Sequence, residues 1–349
     1  MNIRLLNKFI PGITVFAILA LLSGCDWMES SKKSYESIAV EDVIAKSHLR
    51  EAVEYSYVKD GHERQKLDFY SYEGDEESKR PTLLWIHGGA WIAGDKRSVD
   101  PLVFQVAGLG KYNLISINYR LANDESAPWP EIIYDVKAAL RWIKLNSAKL
   151  KIDPDKIILM GESAGAHLAA IAAFSNGVEE HEGDNNPGAS TEVKATVLFA
   201  GPYNMSSFVV QKNSSIRSGM CEEPQYSSPI LELLDCPETD KKTYNIDSCD
   251  LSVVRTADPG AFLDKSDPPV YLVHGEHDCT VPWGQSKALH EELDDAGVKN
   301  VFVSVEDGEH RIGSLGIEAQ DIVEFINVSL VGKKQSVSNA DSPSLPTKQ

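Results

Sequence analysis

Between residues 65 and 305, short apolar and β-branched runs alternate with segments whose apolar residues recur at helical spacing. The strands this predicts are Gln65 to Tyr72, Thr82 to His87, Asn113 to Asn118, Lys156 to Met160, Ala195 to Phe199, Val270 to His274 and Val301 to Val305. Three hold unbroken apolar stretches: Leu83-Leu84-Trp85-Ile86, Ile157-Ile158-Leu159-Met160 and Val270-Tyr271-Leu272-Val273. A strand that is apolar at every position has no face left for water, so these three belong at the centre of a sheet covered on both sides. Ile133, Val136, Leu140 and Ile143 recur at the period of an amphipathic helix over Pro130 to Leu145, with the proline in its first turn. Ala164 to Phe174 reads as an Ala-rich helix. The alternation predicts an α/β architecture, a mainly parallel central sheet with flanking helices. The stretch from Tyr203 to about Lys265 interrupts it without a clear period, and is expected to form an irregular cap insertion or long loop over the strand ends.

The two ends follow neither pattern. Arg4 and Lys8 precede a mainly apolar run, Phe9 to Leu22, of fourteen residues. A bilayer-spanning helix needs about 20, so the run reads as a secretory leader. It ends in Leu22-Ser23-Gly24-Cys25, which resembles the bacterial lipoprotein processing site. That resemblance implies a signal peptide over residues 1–24 and a lipid on Cys25. It places the protein in the cell envelope, anchored to a bacterial membrane and facing the periplasm or exterior. An ordinary leader with an incidental cysteine, or an uncleaved anchor, is the competing reading. Residues 25–48, rich in Ser, Lys and Glu, are expected to be a tether and residues 332–349 a loose tail, leaving one globular domain over residues 49–331. The formal net charge of −18 repels phosphate backbones, which argues against a nucleic-acid partner.

The chemistry concentrates at Gly161-Glu162-Ser163-Ala164-Gly165, placed directly between an apolar strand and the Ala-rich helix. A serine on so sharp a turn projects its hydroxyl above the sheet, and only small neighbours let the backbone fold that tightly. A serine hydroxyl is a poor nucleophile until a base takes its proton, so a carboxylate and then a histidine are expected later in the chain. Of nine histidines, His48, His62 and His87 precede Ser163. His167 shares the serine's helix, His181 lies in an acidic loop, His274 and His277 precede the best acid, and His290 sits in a charged helical run. His310 remains, on the loop after the last predicted strand. Asp278, on the loop after Val270 to His274, is the chosen acid, with Glu276 as the alternative. Charge developing on a substrate carbonyl oxygen requires N–H groups aimed at it in advance. The turn at Gly88 and Gly89, at a strand end after His87, together with the Ala164 amide, can supply them.

With these residues assembled, the chain resembles the α/β-hydrolase family, in particular carboxylesterases with an HGG motif related to hormone-sensitive lipase and to feruloyl and acetylxylan esterases. The segments that carry the resemblance are His87 to Trp91 with Gly94-Asp95-Lys96, Asn118-Tyr119-Arg120-Leu121, Gly161 to His167, His274 to Pro282 and Gly308 to His310. The third glycine of the commonest HGGG form is Ala90 here, which leaves open which amides line the hole. The resemblance implies an α/β-hydrolase fold and a serine esterase acting on a small-molecule ester, either short-chain acyl or carbohydrate-linked, through an acyl-enzyme. No cofactor or metal is implied. The same triad also serves amidases, formamidases and peptidases, and a catalytically idle lipoprotein that keeps the fold for binding is a further alternative.

Four cysteines remain beyond Cys25, and an even count outside the cytoplasm favours two disulfides with three possible connectivities. Cys236 to Cys249 is expected as the local pair, with Cys221 to Cys279 the remainder. Trp91 and Trp283 are expected in loops flanking the pocket, where they stack on an aromatic acid or sugar ring or simply pack against the rim.

Overall fold

In the computed structural model, which describes Val43 and residues 46–74, 78–123, 127–222, 229–236 and 246–331, eight strands form one sheet in the order β1-β2-β4-β3-β5-β6-β7-β8. They are β1 (Val53–Ser56), β2 (Lys66–Tyr70), β3 (Arg80–Ile86), β4 (Asn113–Ile117), β5 (Ile152–Glu162), β6 (Ala195–Phe199), β7 (Val270–Gly275) and β8 (Asn300–Val305). β1 and β2 run antiparallel to their neighbours, and every pairing from β4 to β8 is parallel. The α/β architecture expected from the sequence is therefore present. β1 is the strand that pattern reading missed: its four residues are mostly exposed on both faces, so no alternation marks them.

The continuous apolar strands do lie at the centre, and their residues divide between two faces. Leu84, Ile86, Ile157, Leu159, Val270 and Leu272 pack into one core with α2 (Glu131–Leu145) and α3 (Ala164–Phe174). Leu83, Trp85, Ile158, Met160, Tyr271 and Val273 pack into the other, beneath α1 (Pro101–Gly110) and α6 (Ala319–Val331). α2 begins one residue later than expected, with Pro130 at its N-cap.

Two boundaries differ from the pattern. Val43 and Ser47, assigned to the tether, are already buried, with Val43 in the second core. The region read as aperiodic contains a 13-residue helix, α4 (Met205–Arg217), whose Asn204 cap accepts from the Ser207 N–H. Its buried residues Met205, Phe208, Val209 and Lys212 do follow helical spacing, but the lysine among them hid the period. α5 (Gly284–Ala296) lies between β7 and β8 in the chain. The leader, Cys25 and the tail lie outside the described residues. Among the described residues no helix is long and apolar enough to cross a membrane.

Candidate active site

β5 ends at Glu162 and α3 begins at Ala164, so the backbone turns at Ser163, with φ 55° and ψ −123°. A non-glycine residue at positive φ is strained and must be held there. The Ser163 N–H donates to the Phe199 carbonyl at 2.8 Å, and its own carbonyl accepts from the His167 N–H at 3.1 Å. A Cβ on Gly165 would collide with the Ile86 carbonyl, and one on Gly161 with the Gly165 backbone. The glycines on either side are therefore a steric requirement of packing the start of α3 onto β3 and β5.

β3 leads into the His87 to Trp91 loop. A Cβ on Gly88 would lie 3.0 Å from the Glu162 carbonyl oxygen and 3.3 Å from Ser163 Cβ, so this backbone runs directly beside the serine. Gly89, Ala90 and Trp91 all adopt positive φ, at 119°, 52° and 61°. Among the described residues the Gly89 and Ala164 N–H groups donate to no other protein group, as a site for an oxyanion requires. The Asn118-Tyr119-Arg120 segment after β4 holds the loop from below. Asn118 Oδ1 accepts from the Lys96 N–H at 2.6 Å, Tyr119 stacks on His87 with ring centroids 4.4 Å apart, and the Tyr119 hydroxyl donates to the His87 carbonyl at 2.9 Å. Arg120 ties the segment to α2 through the fully buried Asp135.

Asp278 and His310 stand on the loops after β7 and β8, at the same carboxyl edge of the sheet as Ser163. His310 Nδ1 lies 2.7 Å from Asp278 Oδ2. Asp278 Oδ1 accepts from the Thr280 N–H at 2.7 Å and the Val281 N–H at 2.9 Å, and its side chain is fully buried. Burial alone would raise the Asp278 pKa, but the charge on His310 and the hydrogen bonds from His274 and His310 hold it well below the usual carboxylate range. His310 shows the converse balance: burial opposes its charge, and Asp278, with a smaller contribution from Glu162, raises its pKa above the ordinary 6.5. Glu276, the alternative acid, instead accepts from the Ser304 hydroxyl at 2.6 Å on the exposed side of β8.

The remaining aromatic and histidine groups are mostly structural. His87 and His167 are both pushed down to about 4 by burial, so they are neutral at physiological pH. Trp91 does not flank an open pocket. It is 4% exposed and donates its Nε1–H to His167 Nδ1 at 3.2 Å, while His167 Nε2 donates to the Ala257 carbonyl at 2.6 Å. Trp283 is half-buried against Phe302 and donates to Ser304. Of the expected roles for these two tryptophans, packing is the one the contacts describe.

Two disulfides are present, Cys221–Cys279 and Cys236–Cys249. The first joins the segment just beyond α4 to the residue after Asp278. Lys212, within α4 itself, is buried and donates to the Cys279 carbonyl. The insertion is thus fastened to the acid-bearing loop at two points.

A mostly parallel sheet with a serine on a strand-to-helix turn, followed by an acid and a histidine on successive strand ends, defines an α/β-hydrolase. The chain belongs to the BD-FAE family, whose sequence profile matches residues 67–293, a span that includes Ser163 and Asp278 and stops short of His310. Esterase LipQ of Mycobacterium tuberculosis (strain ATCC 25618 / H37Rv) is 33% identical over 227 residues, 64% of this chain and 48% of its own length. The chain spans about half the length of the curated relatives it matches. Among solved structures, a truncated form of carbohydrate esterase from gut microbiota superposes with a TM-score of 0.67 at 28% identity, covering 80% of this chain and 97% of that one. A bifunctional GH43-CE of Bacteroides eggerthii has the same TM-score at 29% identity, covering 81% of this chain and 38% of its own.

Proposed function

We propose that this protein is a carboxylic ester hydrolase in which Ser163 attacks the ester carbonyl, His310 accepts and returns the proton, and Asp278 orients the imidazole and stabilises the charge it takes on with that proton. The observation that carries this reading is the Asp278–His310 hydrogen bond at the sheet edge where Ser163 is held at positive φ. The amides of Gly88, Gly89 and Ala164 face the developing oxyanion, and water then releases the acid from the acyl-enzyme. The substrate is a short-chain acyl ester or an acyl group on a carbohydrate. Similarity over four-fifths of the chain to a carbohydrate esterase from gut microbiota supports the second form.

The enzyme is exported and held at a bacterial membrane by lipid on Cys25, a reading that rests on the leader and the Leu22 to Cys25 sequence. One acyl chain anchors only marginally, so durable attachment needs the several chains of a lipoprotein. Cys25→Ser should abolish lipid labelling and leave the precursor unprocessed.

Hydrolysis of nitrophenyl acetate and of acetylated and feruloylated sugars, with reaction against a fluorophosphonate probe, tests the chemistry. Folded Ser163→Ala should lose the label and several powers of ten in turnover. Near-normal turnover in that variant would remove the serine from the mechanism.

A further inference from the structure

Asp278 carries a second histidine. His274, near the end of β7, is fully buried, and chain order excludes it as the base because it precedes the acid. Its Nε2 lies 3.1 Å from Asp278 Oδ2, the oxygen that His310 Nδ1 contacts at 2.7 Å, and 3.0 Å from the Val281 carbonyl oxygen. Its Nδ1 lies 2.7 Å from Ser286 Oγ on α5. A carboxylate and a carbonyl only accept, so Nε2 bears a proton directed at Asp278, while Nδ1 is paired with the Ser286 hydroxyl. With Thr280 and Val281 donating to Oδ1, each oxygen of the carboxylate receives two donors, and the group cannot rotate without breaking several bonds.

We infer that His274 is a positioning residue for the acid: it fixes Oδ2 opposite His310 Nδ1 and disperses part of the charge on that oxygen. A hydrogen bond to the carboxylate weakens its hold on the imidazolium, so His310 gives up its proton at a lower pH than an undonated Asp278 would allow. His274 itself transfers no proton and does not touch substrate. The inference rests on the reading of Asp278 and His310 as acid and base.

Two amide substitutions separate donation from packing. The side-chain nitrogen of glutamine reaches about the place of Nε2, whereas that of asparagine reaches only about the place of Nδ1. With nitrophenyl acetate, His274→Gln should keep kcat within about threefold of the native protein and leave the acid limb of the kcat/KM profile in place. His274→Asn should lose roughly 10- to 100-fold in kcat with little change in KM, and its acid limb should move up by about half a pH unit. A folded Asn variant with native rates and an unmoved limb would overturn the inference. So would equal impairment of both variants with the native limb, which would mean the ring only packs.

Should the Asn variant not fold, His274→Phe carries the test. A phenyl ring fills about the space of the imidazole but donates nothing to Oδ2, so the limb should rise in the same direction; an unmoved limb overturns the inference. Asp278→Asn, assayed alongside, distinguishes the two levels of failure. If it stays fully active, the acid assignment itself fails. If it is inactive while the donor-less His274 variant is native-like in rate and limb, only the inference about His274 falls.

Discussion

His310 Nδ1 and Asp278 Oδ2 are 2.7 Å apart, with the carboxylate fully buried and the imidazole one-fifth exposed. The base must be neutral to act, and Asp278 holds its pKa above the ordinary 6.5. The kcat/KM of the native enzyme should therefore fall through a midpoint above 6.5 as the pH is lowered. Asp278→Asn removes the charge that raises the imidazole, so its residual activity should show a lower midpoint, with a rate loss on the order of 10⁴-fold. For stability the signs differ by partner. The raised His310 contributes below its unfolded value and loses that contribution as pH rises through its folded pKa. The depressed Asp278 contributes above its unfolded value of 3.8 and loses it as pH falls through its folded pKa. The pair stabilises most between about pH 3.8 and 6.5.

Glu276 provides the control for this assignment. Its carboxylate accepts from Ser304 and makes no bond to His310 among the described residues. Glu276→Gln should retain kcat/KM within about a factor of two, as an exposed substitution away from the chemistry usually does. A loss of several powers of ten would transfer the acid's role to Glu276.

The residues of this site differ in how they were written into the chain. Ser163 was legible because its turn imposes a local rule, glycine at two fixed offsets between a strand and a helix, and the contacts of Gly161 and Gly165 show that rule to be steric. Asp278 and His310 were legible by order, since each follows a strand whose apolar run is itself readable. His274 was not, because its bond to Asp278 is formed only when the loop folds back onto β7. For Trp91 the sequence left stacking and packing both open, for the related reason that a loop tryptophan looks available until its burial against α3 is known. The Asn118-Tyr119-Arg120 segment is visible in the chain as part of the family resemblance, but its work depends on tertiary partners at His87, Lys96 and Asp135 that no local pattern encodes.

The two disulfides should have separable effects. Their sequence separations are 58 for Cys221–Cys279 and 13 for Cys236–Cys249. Loop-closure entropy then gives about 4 and about 3 kcal/mol of stabilisation. Replacing Cys221 and Cys279 by serine releases the loop that carries Asp278, and should lower kcat at temperatures where the protein is still folded. Replacing Cys236 and Cys249 should lower Tm while leaving kcat near native. Equal kcat for both pairs of variants would show that the first bridge has no hold on the acid.

Trp91 is expected to matter for stability and not for substrate choice. Its indole N–H is the donor to His167 Nδ1, an atom buried with the rest of that ring, and the other ring nitrogen is committed to the Ala257 carbonyl. Trp91→Phe keeps an aromatic ring at the position but leaves the acceptor unpaired inside the protein, at a cost of about 1 to 3 kcal/mol. Thermal unfolding should register this as a lower Tm. The ratio of kcat/KM for feruloylated over acetylated sugars should change by no more than about twofold, because an indole held against α3 cannot also stack on a substrate ring. If that ratio collapses in the Phe variant while Tm stays put, Trp91 must leave its place beside His167 when substrate binds.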